Sequence, residues 1–121
     1  MNPINLKEKQ ASFTQKWHPH QIATVDDMHV LLAKLQGEFV WHAHEKEDEL
    51  FQVLKGTLYM KYRDRTEIVR EGEIIVVPKG TEHCPMTKNN EVVEVLVFEK
   101  QQTAHTGKVK HEKTQTHYPK I

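Results

Sequence analysis

The stretch V-W-H-A-H-E-K-E-D-E-L-F-Q-V-L-K-G, residues 40–56, sets His42 and His44 one residue apart and places Glu49 five positions beyond them. On an extended chain alternate side chains share a face, so the two imidazoles point the same way with Cα atoms roughly 6.6 to 6.8 Å apart. At that spacing both can reach one ion at bond lengths of about 2.0 to 2.2 Å. Glu49 lies an odd number of residues from His44, and unbroken alternation would send it to the opposite face. The run Glu45-Lys46-Glu47-Asp48 is therefore expected to turn the chain. Glu49 then opens a returning strand with Phe51 and Val53 inward and Leu50, Gln52 and Leu54 on the other face. By itself an H-x-H on a strand is more often a solvated or half-buried pair than a metal site, and the acidic run is equally well a solvated loop.

Outward from this stretch, turn signals recur at short intervals: Lys55-Gly56, Asp64-Arg65, Glu71-Gly72, Pro78-Lys79-Gly80 and Asn89-Asn90. Between them lie apolar, β-branched or aromatic runs of strand length, at 38–44, 49–54, 57–63, 66–70, 73–77, 83–87 and 92–99. Upstream, T-V-D-D-M-H-V-L-L-A-K-L is ambiguous, because Thr24 with Asp27 mimics a helix cap and the leucines tolerate helical spacing. The sheet that follows decides for a strand over residues 28–35. About eight short strands at this spacing are the pattern of an all-β sandwich or barrel. If the inward register continues, Leu58, Met60 and Tyr62 face in while Tyr59, Lys61 and Arg63 face out. The expected wall of any cavity is then Val40, Phe51, Val53, Leu58, Met60 and Tyr62, each of which serves equally as ordinary core.

The chain of 121 residues reads as one domain, with a polar N-terminal arm over 1–23, the barrel over 24–99 and a polar C-terminal extension over 100–121. No regular element is expected in the arm, which would pack through Phe13, Trp17 and Ile22. Seventeen basic residues balance seventeen acidic ones, so no global field recruits nucleic acid or an anionic membrane surface. One cysteine, Cys84, cannot form an internal disulfide, and it reads as a small buried hydrophobe facing away from His83. With neither a secretory pattern at the start nor a long apolar run, a cytoplasmic protein without a membrane segment is expected. Two further histidine groups, His18-Pro19-His20 and the set His105, His111 and His117 six residues apart, lack ligand-like spacing. The extension is expected to be loosely docked or to cross to a partner.

With its punctuation the sequence resembles the cupin superfamily. The family's first motif, a glycine, H-x-H, a glutamate and a glycine, is matched by Gly37, His42, His44, Glu49 and Gly56. The second, a glycine, P-x-G, a histidine and an asparagine, is matched by Gly72, Pro78, Gly80 and His83, with fifteen residues between the motifs. Four residues rather than five separate Gly37 from His42, and Thr87 stands where the asparagine is expected. The resemblance implies a jelly-roll barrel with His42, His44, Glu49 and His83 holding one divalent transition metal ion. Three imidazoles and a carboxylate suit Fe, Mn, Ni, Co, Cu or Zn.

The implied function is a metal-dependent enzyme acting on a small organic molecule, isomerase- or dioxygenase-like, with Glu49 a ligand rather than a free base. The competing reading is a non-catalytic module that binds or senses a small ligand or the metal. Small cupins are often grouped with mannose 6-phosphate isomerases. Such a substrate wants lysine or arginine at the mouth, which these strands do not supply inward; Lys79 and Lys88 on loops are the candidates that could. Family members are commonly homodimers, and the two terminal segments are candidates for exchange between subunits.

Overall fold

The computed structural model describes residues 2–121. Among these, eight strands form two antiparallel sheets: β1 (His20–Val25), β2 (Met28–Gln36), β3 (Glu49–Lys55), β4 (Leu58–Tyr62), β5 (Thr66–Val69), β6 (Ile74–Val77), β7 (His83–Met86) and β8 (Val92–Lys100). One sheet runs in the order β1-β2-β8-β3-β6 and the other β5-β4-β7, a jelly-roll barrel. The strand period sets the core. In β3 Glu49, Phe51 and Val53 are buried, in β4 Leu58, Met60 and Tyr62, and in β8 Val93, Val95, Val97 and Glu99. Each fully buried Leu, Val or Met contributes about 1.5 to 3 kcal/mol relative to exposure.

The ambiguous T-V-D-D-M run resolves as a hairpin: Val25 pairs with Met28, and Asp26 takes the left-handed conformation (φ 51°) that a two-residue turn requires. β2 then pairs with β8 over nine residues without a break. Gly56 ends β3 at φ 87°, where an added Cβ would lie 3.0 Å from Val93 Cγ2. Cys84 is fully buried, and that burial pushes its thiol pKa up, as a packed hydrophobe would have it. No helix among the described residues is long and apolar enough to cross a membrane.

Three features differ from the sequence reading. Residues 38–44, expected as a strand, run beside β7 through two isolated bridges, Glu38 to Met86 and His42 to His83. The bridges span four residues on one side and three on the other, so one extra residue bulges out and interrupts the ladder. The arm over 1–23, expected to lack regular structure, holds within its described residues a short helix α1 (Leu6–Ala11) capped by Asn5, and the first four of the six residues of β1. α1 buries no side chain; the segment is fixed instead by Phe13 and by Trp17, whose Nε1–H donates to the Gln36 carbonyl at 2.9 Å and whose ring stacks on Phe39 at 4.5 Å.

The third is the C-terminal extension, which of the two expected arrangements takes the docked one, on its own barrel, but through backbone hydrogen bonds rather than loosely. Gln21 N–H donates to Pro119 O at 2.7 Å, Ile121 N–H to Gln21 O at 3.0 Å and Gln101 N–H to Asp27 O at 2.9 Å. Thr103 and Thr106 of the extension are themselves buried, and Lys113 Nζ reaches the Glu38 carbonyl at 2.8 Å.

Candidate metal centre

His42 and His83 exchange two backbone hydrogen bonds, at 3.0 and 2.9 Å, which holds their side chains on one face with ring centroids 4.2 Å apart. The turn at Pro78-Lys79-Gly80 delivers His83 there. Gly80, at φ 78°, donates its N–H to the His44 carbonyl at 2.7 Å, and Lys79 N–H reaches Asp48 Oδ1 at 2.8 Å. The acidic run 45–48 thus turns, and it is tied to the second histidine segment. Glu49 opens β3 as expected, with Oε1 3.4 Å from His44 Nε2 and 3.5 Å from His83 Nε2.

Potential ligand atoms of His42, His44, Glu49 and His83 all lie within 4.8 Å of one another, and all four residues are buried. Donors bonded to one ion at about 2.0 to 2.2 Å are at most about 4.4 Å apart, so a contraction of a few tenths of an ångström suffices. Both His44 ring nitrogens, His83 Nε2 and Glu49 Oε1 are buried without a hydrogen-bond partner. A buried unsatisfied polar atom costs about 1 to 3 kcal/mol, a cost that coordination removes. The tautomers fit as well. His42 Nδ1 faces the Val40 carbonyl and His83 Nδ1 the Thr81 carbonyl, each at 2.9 Å. A carbonyl only accepts, so Nδ1 carries the proton and Nε2 is left as a lone-pair donor. The cluster could therefore hold a metal ion.

Electrostatics agree. Burial, then repulsion from His83, lowers the His42 pKa to about 4, keeping it neutral near pH 7. Burial opposes ionisation of Glu49, but His44, His83 and Glu99 outweigh it and hold its pKa well below the usual carboxylate range. Thr87, where the resemblance leads one to expect asparagine, still ties the two motifs together: its Oγ1 accepts from Gly37 N–H at 2.8 Å and its own N–H donates to Gly37 O at 2.9 Å.

Three residues beside the cluster, Glu99, His29 and Tyr118, were not singled out from sequence, and a fourth, His105, was set aside there for its spacing. Glu49, Glu99 and His29 sit level across β3, β8 and β2, with His29 Nε2 3.1 Å from Glu99 Oε1. Burial, then the Glu49 charge, raises the Glu99 pKa well above the usual value. A signal for both was present: each is a polar residue in the inward register of an otherwise apolar strand. His105 and Tyr118 come from the extension. His105 Nδ1 accepts the Gln115 N–H at 2.9 Å, and burial lowers its pKa to about 4; burial pushes the Tyr118 phenol up.

A narrow cavity of about 40 Å³ opens beside the cluster. Its polar end is His42, Glu49, Glu99, His105 and Tyr118; its walls include Trp17, Leu31, Phe39, Phe51, Val95 and Val97. Of the expected wall residues, Phe51 lines it. Val53, Leu58, Met60 and Tyr62 belong to the packed core and half-buried Val40 packs against that core, because the cavity lies along β2 and β8 rather than β4. Lys79 and Lys88 line no part of it, and Lys88 Nζ sits over the Tyr59 ring on the outer face. His20 stacks on Phe13 at 4.0 Å, and His111 is exposed on the extension, its Nδ1 accepting the Lys113 N–H at 3.1 Å.

A family model described as "Cupin domain" matches residues 28–99. Protein YdbB of Bacillus subtilis (strain 168) is 39% identical over 79 residues, 64% of this chain and 64% of YdbB, so the match spans less than two thirds of that relative. The crystal structure of a cupin-2 domain containing protein from Shewanella frigidimarina NCIMB 400 is similar with a TM-score of 0.78 and 42% identity, covering 80% of this chain and 93% of that one. Protein NMB1881 from Neisseria meningitidis gives 0.73 and 30% identity over 82% and 99%.

Proposed function

This chain belongs to the cupin domain family, and from that premise we propose that it is a metal-dependent enzyme acting on a small organic molecule, with isomerase- or dioxygenase-like chemistry at His42, His44, Glu49 and His83. The observation that carries this reading is the convergence of four buried donors, several of them otherwise unsatisfied, at the end of a cavity. A divalent transition metal there supplies a Lewis acid or a site for activating water or dioxygen. The protein's own part is to fix the donors: two imidazoles oriented by backbone carbonyls, and a carboxylate kept ionised by its neighbours. Glu99, held by His29, places a second carboxyl group beside Glu49 where a proton can be held or passed. The docked extension excludes bulk water from this end of the barrel.

The test is elemental analysis of protein purified without a histidine tag, with a substrate panel assayed in the presence and absence of chelator. Near-stoichiometric metal with chelator-sensitive turnover supports the enzyme; trace metal that does not depend on the four residues overturns it. A non-catalytic binding module is the second reading, supported by the same buried donor cluster, which could hold a metal ion without any turnover. Tight retention of a ligand without metal-dependent turnover would decide for it. A homodimer, proposed from the family resemblance, is tested by sedimentation of the full chain.

A further inference from the structure

The cavity at the metal cluster has a composition that restricts what it can take. Its walls are aromatic and aliphatic, contributed by Trp17, Leu31, Phe39, Phe51, Val95 and Val97. No lysine or arginine lines it. Lys46 and Lys108 sit in a separate groove outside His44, where Lys108 Nζ pairs with Glu45 at 3.1 Å, and Lys113 stays behind the wall, its Nζ 5.9 Å from the Trp17 ring centroid and bonded to the Glu38 carbonyl. The polar side chains lining the cavity are His42, Glu49, Glu99, His105 and Tyr118, which gather beside the metal cluster, and the indole N–H of Trp17 is already bonded to the Gln36 carbonyl. Beside the cluster Glu99, only 2% exposed, has Oε2 with no partner other than the neighbouring Glu49 carboxyl group, so a ligand head group can meet the pair. A sugar or sugar phosphate carries polar groups around its whole perimeter, and each that is buried against an apolar wall costs about 1 to 3 kcal/mol. An aromatic or alicyclic body with a single oxygen-bearing head meets no such cost.

Resting on the metal-centre reading, we infer that this cavity is the substrate site and that it selects compact, largely apolar molecules with one polar head, the head lying between the metal cluster and Glu99. The docked C-terminal extension is the wall that gives. At about 40 Å³ the cavity has room for about three waters, too little for such a molecule. Barrel residues around it are locked in the β2-β8-β3 ladder. Residues 101–121 instead form no strand or helix, and they contribute His105 and Tyr118 to the polar end. Entry of a ligand displaces this segment, and its return closes the two side chains over the head group.

The experiment follows Trp17 fluorescence in a Trp41→Phe background, with cyclohexanol and benzyl alcohol as probes against glucose and glucose 6-phosphate. Metal content is measured in the same samples. The expected result is saturable binding of at least one alcohol, tenfold or more tighter than either sugar, and weakened tenfold by Ala33→Leu, which fills the cavity from β2. No saturable response to either alcohol, a sugar bound as tightly, or unchanged affinity in a folded Ala33→Leu variant overturns it. Should that variant not fold, the alcohol-to-sugar ratio in the parent decides. Metal without alcohol binding sinks the cavity inference and leaves the metal centre; alcohol binding without metal does the reverse.

Discussion

Gly107, in the C-terminal extension, lies directly against Ala43, the residue between the two histidines of the first motif. A Cβ built on Gly107 would stand 2.1 Å from the Ala43 carbonyl oxygen, and Gly107 has φ 59°. The obstacle is backbone, so no side-chain movement relieves it. Gly107→Ala is expected to lift the extension from the metal cluster and to destabilise the protein by at least about 1 kcal/mol, the usual cost of the left-handed conformation. Thermal melting reads the loss, and limited proteolysis reads the freed segment. An unchanged melting curve with an equally protected extension would show that the contact does not hold it.

His42→Ala and His83→Ala are each expected to abolish stoichiometric metal, whereas His111→Ala, on the exposed face of the extension, leaves it intact. Elemental analysis and chelator titration make the comparison. Metal at one hundred times its dissociation constant stabilises the fold by about 2.7 kcal/mol, so chelator should lower the melting temperature of wild type and leave that of the two ligand variants where it is.

What was legible in the sequence was what local pattern specifies. Two-residue alternation places Glu49, Phe51 and Val53 inward, and the same rule places Leu58, Met60 and Tyr62. The four candidate ligands were legible through the resemblance to the cupin motifs, carried by H-x-H and by punctuation with glycine and proline. β1 was not legible as a strand because it is a sheet edge with a polar, half-exposed sequence, so no apolar alternation marks it. The bulge over residues 38–44 follows from pairing with β7, a partner forty residues away, and not from its own composition. His105 and Tyr118 reach the cavity because the extension docks, and docking is carried by backbone hydrogen bonds such as those of Gln21, which leave no trace in periodicity.

Acid should destabilise the metal-free protein over a defined window. His42 and His105 both have pKa values lowered from 6.5 to about 4 in the folded state, chiefly by burial. The unfolded chain binds their protons first, so the stability they contribute is complete above about pH 6.5 and is lost as the pH falls towards 4. Urea midpoints measured at intervals from pH 7.5 to 4 are expected to fall through this range. His105→Phe should flatten part of the slope, and a slope unchanged by it would mean that His105 does not titrate with unfolding.

The opposite slope belongs to Glu99. Burial, then the neighbouring charge of Glu49, raises its pKa well above 4.5, so the folded state keeps a proton that the unfolded chain surrenders. Its contribution is complete below about pH 4.5 and is lost as the pH rises towards the raised folded value. Glu99→Gln preserves the shape and a partner for His29 Nε2 while removing the ionisation. In metal-free protein the variant is therefore expected to be more stable than wild type at neutral and alkaline pH, with the gap closing under acid. A bound divalent ion would favour the ionised carboxyl and shrink the same gap in metal-loaded protein. Paired denaturation curves at pH 5 and pH 8, with and without metal, measure all four differences. A Glu99→Gln variant no more stable than wild type at pH 8 without metal would mean that Glu49 and Glu99 do not burden each other across the β3–β8 pair.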